Sequence, residues 1–300
     1  MAQLFVPLHG GFGRLAGSGR NEQGEDLEWH AWRGAEIGLH NSYTDVLGAV
    51  PEAEARDWNI GVRHPLYDGF LPTRLLFLDA SEDGRKAALI QAEAAADSAH
   101  QVGARYLIFP FPWPSWLEPG APYPGWDLHE GCGSLTDWTI DTLYQAGREV
   151  FLFLAALQDR ANIRIALEVA GPNPLFFEGD LFSRLFREFP TLSLCQDTVR
   201  LRLLAETHGF DALEMARRWL PWTRYLRLHS GRRLPDGGFQ AHLPTLPEDP
   251  EAQVAREVVA AQDKATVVLD HDPRLVTAQH LEAARRFAAG LVGLSEKGDA

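Results

Sequence analysis

The sequence predicts an α/β protein, a (β/α)8 TIM barrel in which residues 1–300 form one domain. Short apolar runs alternate with helical patterns four times in the second half of the chain, the sign of βαβ units on a parallel sheet. Four further strand-like runs in the first half bring the number to eight. The 300 residues also suit a barrel whose usual length is about 250, lengthened by insertions. An open, doubly wound sheet is the alternative, but no run leads into a G-x-G-x-x-G or Walker-type turn.

Residues 4–8 read as the first strand, 35–39 as the second and 59–63 as the third. Glycines 10, 11, 13, 17 and 19 follow the first strand with no helical pattern behind them, so they read as loop glycines. Residues 81–102 form a helix with Ser81 as its N-cap; 104–109 is a strand and 139–157 a helix. The stretch 110–135 is rich in proline and glycine yet holds Trp113, Trp116, Tyr123 and Trp126. So aromatic a segment reads as an ordered surface loop rather than a linker. The second half then runs as strand 163–168, helix 181–189, strand 192–197, helix 212–220 and strand 225–229. A Gly/Pro-rich loop, helix 251–262, strand 266–270 and helix 278–291 close the chain.

Composition narrows the function. Apolar residues make up 45% and charged residues 23%, too apolar for a disordered chain. Only two cysteines, Cys132 and Cys195, are present, which points to a reducing compartment and a cytoplasmic location. No apolar run approaches the roughly 18 residues of a membrane span, and residues 1–3 do not begin a signal peptide. The net charge of −13 opposes nucleic acid as a partner.

Four second-half strands end on a residue able to bind a metal: Glu168, Asp197, His229 and Asp270. In a barrel the C-terminal strand ends meet at one mouth, where active sites lie. Three carboxylates and an imidazole there suit a divalent ion. Polar strand ends are common singly; four in register point to a metal site.

The motifs Ile165-Ala-Leu-Glu168, Leu194-Cys-Gln-Asp197, Leu226-Arg-Leu-His229 and Val267-Val-Leu-Asp270 resemble those of the xylose isomerase-like TIM barrels. More narrowly they resemble the sugar phosphate isomerase/epimerase group. The resemblance runs from about the third strand to the C-terminus; the first 55 residues fit it poorly. It implies one divalent ion (Mn, Mg, Co or Zn) held by Glu168, Asp197, His229 and Asp270. It further implies an isomerase or epimerase acting on a carbohydrate or related hydroxy-carbonyl compound through an enediolate, with Glu168 and Asp270 as the acid–base pair. Arg63-His64-Pro65-Leu66-Tyr67 resembles a strand end near the family's substrate, so His64 is a substrate-binding candidate. Gly231-Arg232-Arg233-Leu234-Pro235 resembles a substrate loop and makes Arg232 another. His242-Leu243-Pro244 lies in the same loop and resembles an H-x-P stretch of relatives. Trp113 stands for the aromatic loop, which could stack on a sugar face.

Two departures matter. Asp270 stands where the family has Glu, and Asp197-Thr-Val-Arg200 stands where the family often has D-x-x-H. Arg200 offers donors and suits an anionic group, but it cannot ligate a metal. A guanidinium inside the four-residue cluster would repel an ion. A non-catalytic or ligand-binding barrel is therefore the alternative, and an AP-endonuclease-like phosphodiesterase a more distant one. A homodimer is also compatible with the apolar residues on the late helices.

Overall fold

The computed structural model describes residues 2–9, 32–38, 43–66, 75–126, 128, 132–177, 180–235, 237–272, 275 and 277–294. The loop glycines between 10 and 19 lie outside the described residues. Eight parallel strands close into a barrel. They are β1 (Gln3–His9), β2 (Trp32–Gly38), β3 (Asn59–Arg63), β4 (Tyr106–Phe111), β5 (Arg164–Val169), β6 (Ser193–Asp197), β7 (Thr223–Leu228) and β8 (Thr266–Leu269). Each pairs in parallel with its neighbours in sequence, and β1 closes the ring against β8. This is the (β/α)8 TIM barrel read from the sequence, with the eight strands where the apolar runs place them.

Helices pack outside the barrel. Helix Glu82–Gln101 starts at Ser81, whose Oγ accepts the Gly84 N–H at 3.0 Å, as the sequence predicts. Helix Ile140–Ala161 is opened by a reciprocal Thr139/Thr142 capping box. Three described α-helices escape the sequence reading, one of them the single turn Pro174–Phe177. Tyr43–Ala55 carries Pro51 within it. Thr198–His208 begins directly at the end of β6, with Asp197 as N-cap. The Gly/Pro-rich stretch after β7 is an antiparallel hairpin, Ser230–Arg233 with Phe239–Leu243. The aromatic stretch forms a short parallel pair, Trp116–Leu117 with Gly133–Ser134.

Strand alternation sorts the barrel interior into levels, because side chains two residues apart share a face. Phe5, Tyr106, Ile108, Ala166, Cys195, Tyr225 and Val268 form an apolar interior cluster separate from the sheet–helix core. Tyr106 and Tyr225 lie with ring centroids 4.3 Å apart. Gly34 and Gly61 make room for these rings: a Cβ at Gly61 would lie 1.9 Å from Tyr106 Cζ, and one at Gly34 2.3 Å from Phe5 Cζ. One pleat further toward the C-terminal ends the interior becomes ionic. Gly34 is followed by Glu36, Gly61 by Arg63, Ala166 by Glu168, Cys195 by Asp197, Tyr225 by Arg227 and Val268 by Asp270. The apolar level is thus the floor on which the site stands.

No described helix is long and apolar enough to cross a membrane. Gly61→Ala should overpack the floor and lower stability by about 1–3 kcal/mol, measured by urea unfolding. An unchanged midpoint would show that Tyr106 is not confined as described.

Candidate functional site

The strand ends converge on a network of carboxylates and guanidiniums. Glu168, fully buried, receives Arg63 Nε at 2.7 Å and Arg63 Nη2 at 3.0 Å, a bidentate pair. Arg200 Nη1 lies 3.0 Å from the same carboxylate and also donates to Val169 O at 2.7 Å. Arg227 Nε is 3.9 Å away. Burial by itself would raise the Glu168 pKa; the guanidiniums of Arg63, Arg200 and Arg227 overcome it and bring the value down to about 2. Arg227, itself 1% exposed, bridges two more carboxylates. Its Nη1 donates to Glu36, while its Nη2 and Nε reach Asp270 Oδ2 at 2.7 and 3.0 Å. Tyr106 also donates to Glu36, at 3.1 Å.

Asp197 is positioned by the helix it caps. Its Oδ1 accepts the Arg200 N–H at 2.9 Å, and His229 Nε2 lies 3.0 and 3.1 Å from its two oxygens. Burial opposes the charged form, but His229, Arg200 and that helix N–H hold the Asp197 carboxyl well below its usual range. The other His229 nitrogen, Nδ1, accepts the backbone N–H of His242 at 3.1 Å. Nδ1 is therefore an acceptor, and Nε2 carries the proton given to Asp197.

His242 comes from the hairpin and adopts φ +60°, a left-handed conformation rare for a non-glycine residue. Its N–H is fixed by His229, and its carbonyl accepts the Asp272 N–H at 2.8 Å. Its ring stacks on His229, with centroids 4.6 Å apart. Its Nδ1 lies 3.1 Å from Asp270 O and 3.3 Å from Asp270 Oδ2. Burial lowers the His242 pKa, but hydrogen bonding and charge from Asp270 outweigh it and leave the value raised. His271, beside the same cavity, is pushed down to about 4 by burial and by Arg285.

Above the network lies a cavity of about 440 Å³. Arg63, Asp197, Arg200, Arg227, His229 and Asp270 line its base, while Trp126, Phe239, His242, His271 and Asp272 line its sides. Glu168 does not line it. Of the substrate-binding candidates, only Arg200 does. His64 is 1% exposed, with its ring 5.6 Å from Phe109. Trp113 is 2% exposed, and Arg232 bonds Gln240 on the exposed face of the hairpin. The proline-rich loop reaches the cavity through Trp126, whose Nε1 donates to Thr207.

The structure brings Glu168, Asp197, His229 and Asp270 to one mouth, but not as an open ligand set. Among the described residues, His229, His242 and Asp270 place one ligand atom each within 4.8 Å of one another. A divalent ion needs free lone pairs and surplus negative charge. Both nitrogens of His229 are engaged, Asp270 Oδ2 is held by Arg227, and Glu168 is held by two arginines. The four carboxylates Glu36, Glu168, Asp197 and Asp270 already face the three guanidiniums of Arg63, Arg200 and Arg227. His229, His242 and Asp270 are thus a candidate cation cluster in which a divalent ion would compete with these bonds for His229 and Asp270. Glu168 is also mismatched to a general base, which works best with a pKa near the operating pH.

No protein-family model matches the chain, and no curated protein sequence does. Solved structures do match. A IolI protein with a bound zinc atom superposes with a TM-score of 0.64 at 11% identity, over 99% of this chain and 100% of that one. The fold is that of the xylose isomerase-like TIM barrels. The 3-keto-D-glucoside 4-epimerase YcjR of E. coli matches with a TM-score of 0.60 at 12% identity, over 95% of this chain and 100% of that one. Mannonate dehydratase from Streptococcus suis serotype 2 gives 0.59 at 12% identity, over 97% and 92% of the two chains. At these identities the likeness to xylose isomerase-like barrels concerns the fold; the side chains at the mouth are this chain's own.

The sequence points to the strand ends but passes over Arg63, Arg227, Glu36 and the role of His242. Arg227 stands two residues before His229 and Arg63 ends its strand, so alternation alone would place both inside the barrel.

Glu168→Gln removes the shared partner of buried guanidiniums and should destabilise the fold by about 3–5 kcal/mol. The acid limb follows from the same pair. The folded Glu168 pKa lies below the 4.5 of the unfolded chain, so its stabilisation is complete above 4.5 and is lost as pH falls toward 2. The parent should lose stability across that window more steeply than Glu168→Gln, read by chemical unfolding at each pH. Parallel profiles would show that the carboxylate is not ion-paired as described.

Proposed function

We propose that the chain isomerises a small hydroxy-carbonyl compound of the carbohydrate class at the barrel mouth, with His242 as the acid–base group. The observation that carries the reading is the His242–Asp270 pair on the cavity wall. Asp270 occupies Nδ1, which leaves Nε2 with no partner among the described residues. An imidazole oriented by a carboxylate on the wall of a ligand-sized cavity is an arrangement suited to moving protons near neutral pH. The raised His242 pKa keeps it close to that range. The 440 Å³ volume falls within the usual size of small-molecule sites. The same barrel fold carries a 3-keto-D-glucoside 4-epimerase, which favours a carbohydrate substrate over other small molecules.

In this reading His242 Nε2 takes the proton from the hydroxyl-bearing carbon beside the carbonyl. Negative charge builds on the carbonyl oxygen, and the guanidinium edges lining the cavity meet it with fixed donors. Arg63 Nη1 and Arg200 Nη2 make no hydrogen bond to the described residues, so they are the donors at hand. The hydroxyl proton passes to the former carbonyl oxygen, and the imidazolium returns its proton to the former carbonyl carbon. Atoms balance as a 1,2-shift. One acid–base group on one face suits this shift better than epimerisation, which needs a second group on the opposite face.

A non-catalytic binding barrel is the second reading. It is favoured by the burial of Glu168 beneath arginines, which removes the base the sequence assigns.

A panel of aldoses, ketoses and their phosphates incubated in D2O should show deuterium entering the carbon next to the carbonyl, followed by proton NMR. His242→Asn should slow that exchange by about 10²–10⁴-fold. Binding without exchange would favour the second reading, and unchanged exchange in His242→Asn would remove His242 from the chemistry.

A further inference from the structure

We infer that the mouth of this barrel is metal-independent, with guanidinium groups permanently holding the positive charge that a divalent ion would bring to such a set of strand ends. The inference goes beyond the isomerase reading and does not depend on it.

Three observations carry it. The first is position. Arg227 enters from β7 one pleat below His229, and Arg63 from the end of β3. Arg200 enters from the first turn of the helix that Asp197 caps. All three line the cavity among the strand-end carboxylates. The second is saturation. Arg227 reaches Glu36 and Asp270; Arg63 and Arg200 share Glu168; Arg200 Nε also lies 3.8 Å from Asp197 Oδ2. Metal coordination there would compete with these bonds for the same carboxylate oxygens.

The third is charge. Two unit charges at 4 Å interact by about 4 kcal/mol at an effective dielectric of 20. An ion at the centre of His229, His242 and Asp270 would sit beside the Arg227 guanidinium, which is 2.7 Å from Asp270. Unlike a lysine or histidine, an arginine cannot shed its proton to make way. Arg227 is also fully buried and held from two sides, so it cannot swing into solvent. Its displacement would leave Glu36 buried with Tyr106 as its remaining hydrogen-bond partner among the described residues.

Fixed guanidiniums and a bound ion are therefore alternative ways of neutralising the same carboxylates. A chain using the first keeps a constant charge at its mouth whatever the metal supply.

The test uses the full chain, purified without chelator. Metal content by plasma mass spectrometry should be far below one equivalent. The thermal midpoint should be unchanged by EDTA or by Mn²⁺, Co²⁺ or Zn²⁺, since a ligand that does not bind the native state cannot stabilise it. Arg227→Met, which removes the guanidinium from Asp270 and Glu36, should melt lower than the parent and regain several degrees on adding the same ions. Near-stoichiometric metal in the parent, or a midpoint raised by any of the ions, would overturn the inference. So would a folded Arg227→Met that gains no ion response, because the guanidinium would then not be what keeps metal out. If the variant fails to fold, the parent's metal content and midpoint decide alone. Failure of isotope exchange in D2O would end the isomerase reading and leave this result standing.

Discussion

The buried pairing of carboxylates with guanidiniums governs the upper half of this barrel. Seven ionic side chains, Glu36, Arg63, Glu168, Asp197, Arg200, Arg227 and Asp270, converge where strands β2, β3 and β5 to β8 end. None could be buried alone, since an unpaired charge in a protein interior costs several kcal/mol. Together they satisfy one another, and each group's position becomes a condition for the next. Glu168 fixes Arg63 and Arg200; Arg200 lies on the helix that Asp197 caps; Arg227 fixes Asp270; and Asp270 orients His242. A change at a fully buried residue is thereby passed to the cavity wall through bonds rather than through shape.

The apolar floor is what allows such a network to exist. Phe5, Tyr106 and Tyr225 fill the lower barrel, and Gly34 and Gly61 give up their side chains to admit the rings. This apolar level shields the ionic level from water on its lower side. Charge-assisted hydrogen bonds strengthen in that setting. The polar and apolar levels are separated by a single pleat, and a one-residue slip in any strand would exchange inside for outside.

Much of the barrel was legible in the sequence because buried parallel strands are short apolar runs bounded by polar ends. Glu168, Asp197, His229 and Asp270 stood out for that reason. The helix after β6 was hidden because Val199, Leu201 and Leu203 alternate with Arg200 and Arg202, a period of two that reads as strand. The helix at 43–55 was masked by Gly48 and Pro51. The arginines were harder still. A charge inside a strand is ordinarily read as facing out, and nothing local tells that the opposite charge waits on another strand. Glu36 and Arg227 are 191 residues apart in sequence. The candidate ligands were therefore found without the partners that already hold them. His242 stands out in its loop by sequence, but its role depends on a hairpin and a left-handed backbone that only the fold reveals.

The central claim is that the mouth is held by mutual pairing of buried charges, and a double-mutant cycle on Arg63 and Glu168 tests it most directly. Stabilities of the parent, Arg63→Met, Glu168→Gln and the double variant would be measured by urea unfolding at neutral pH. The account predicts a coupling of about 1.5–3 kcal/mol, with the double variant less damaged than the sum of the singles. Additive losses, with no coupling beyond experimental error, would contradict it.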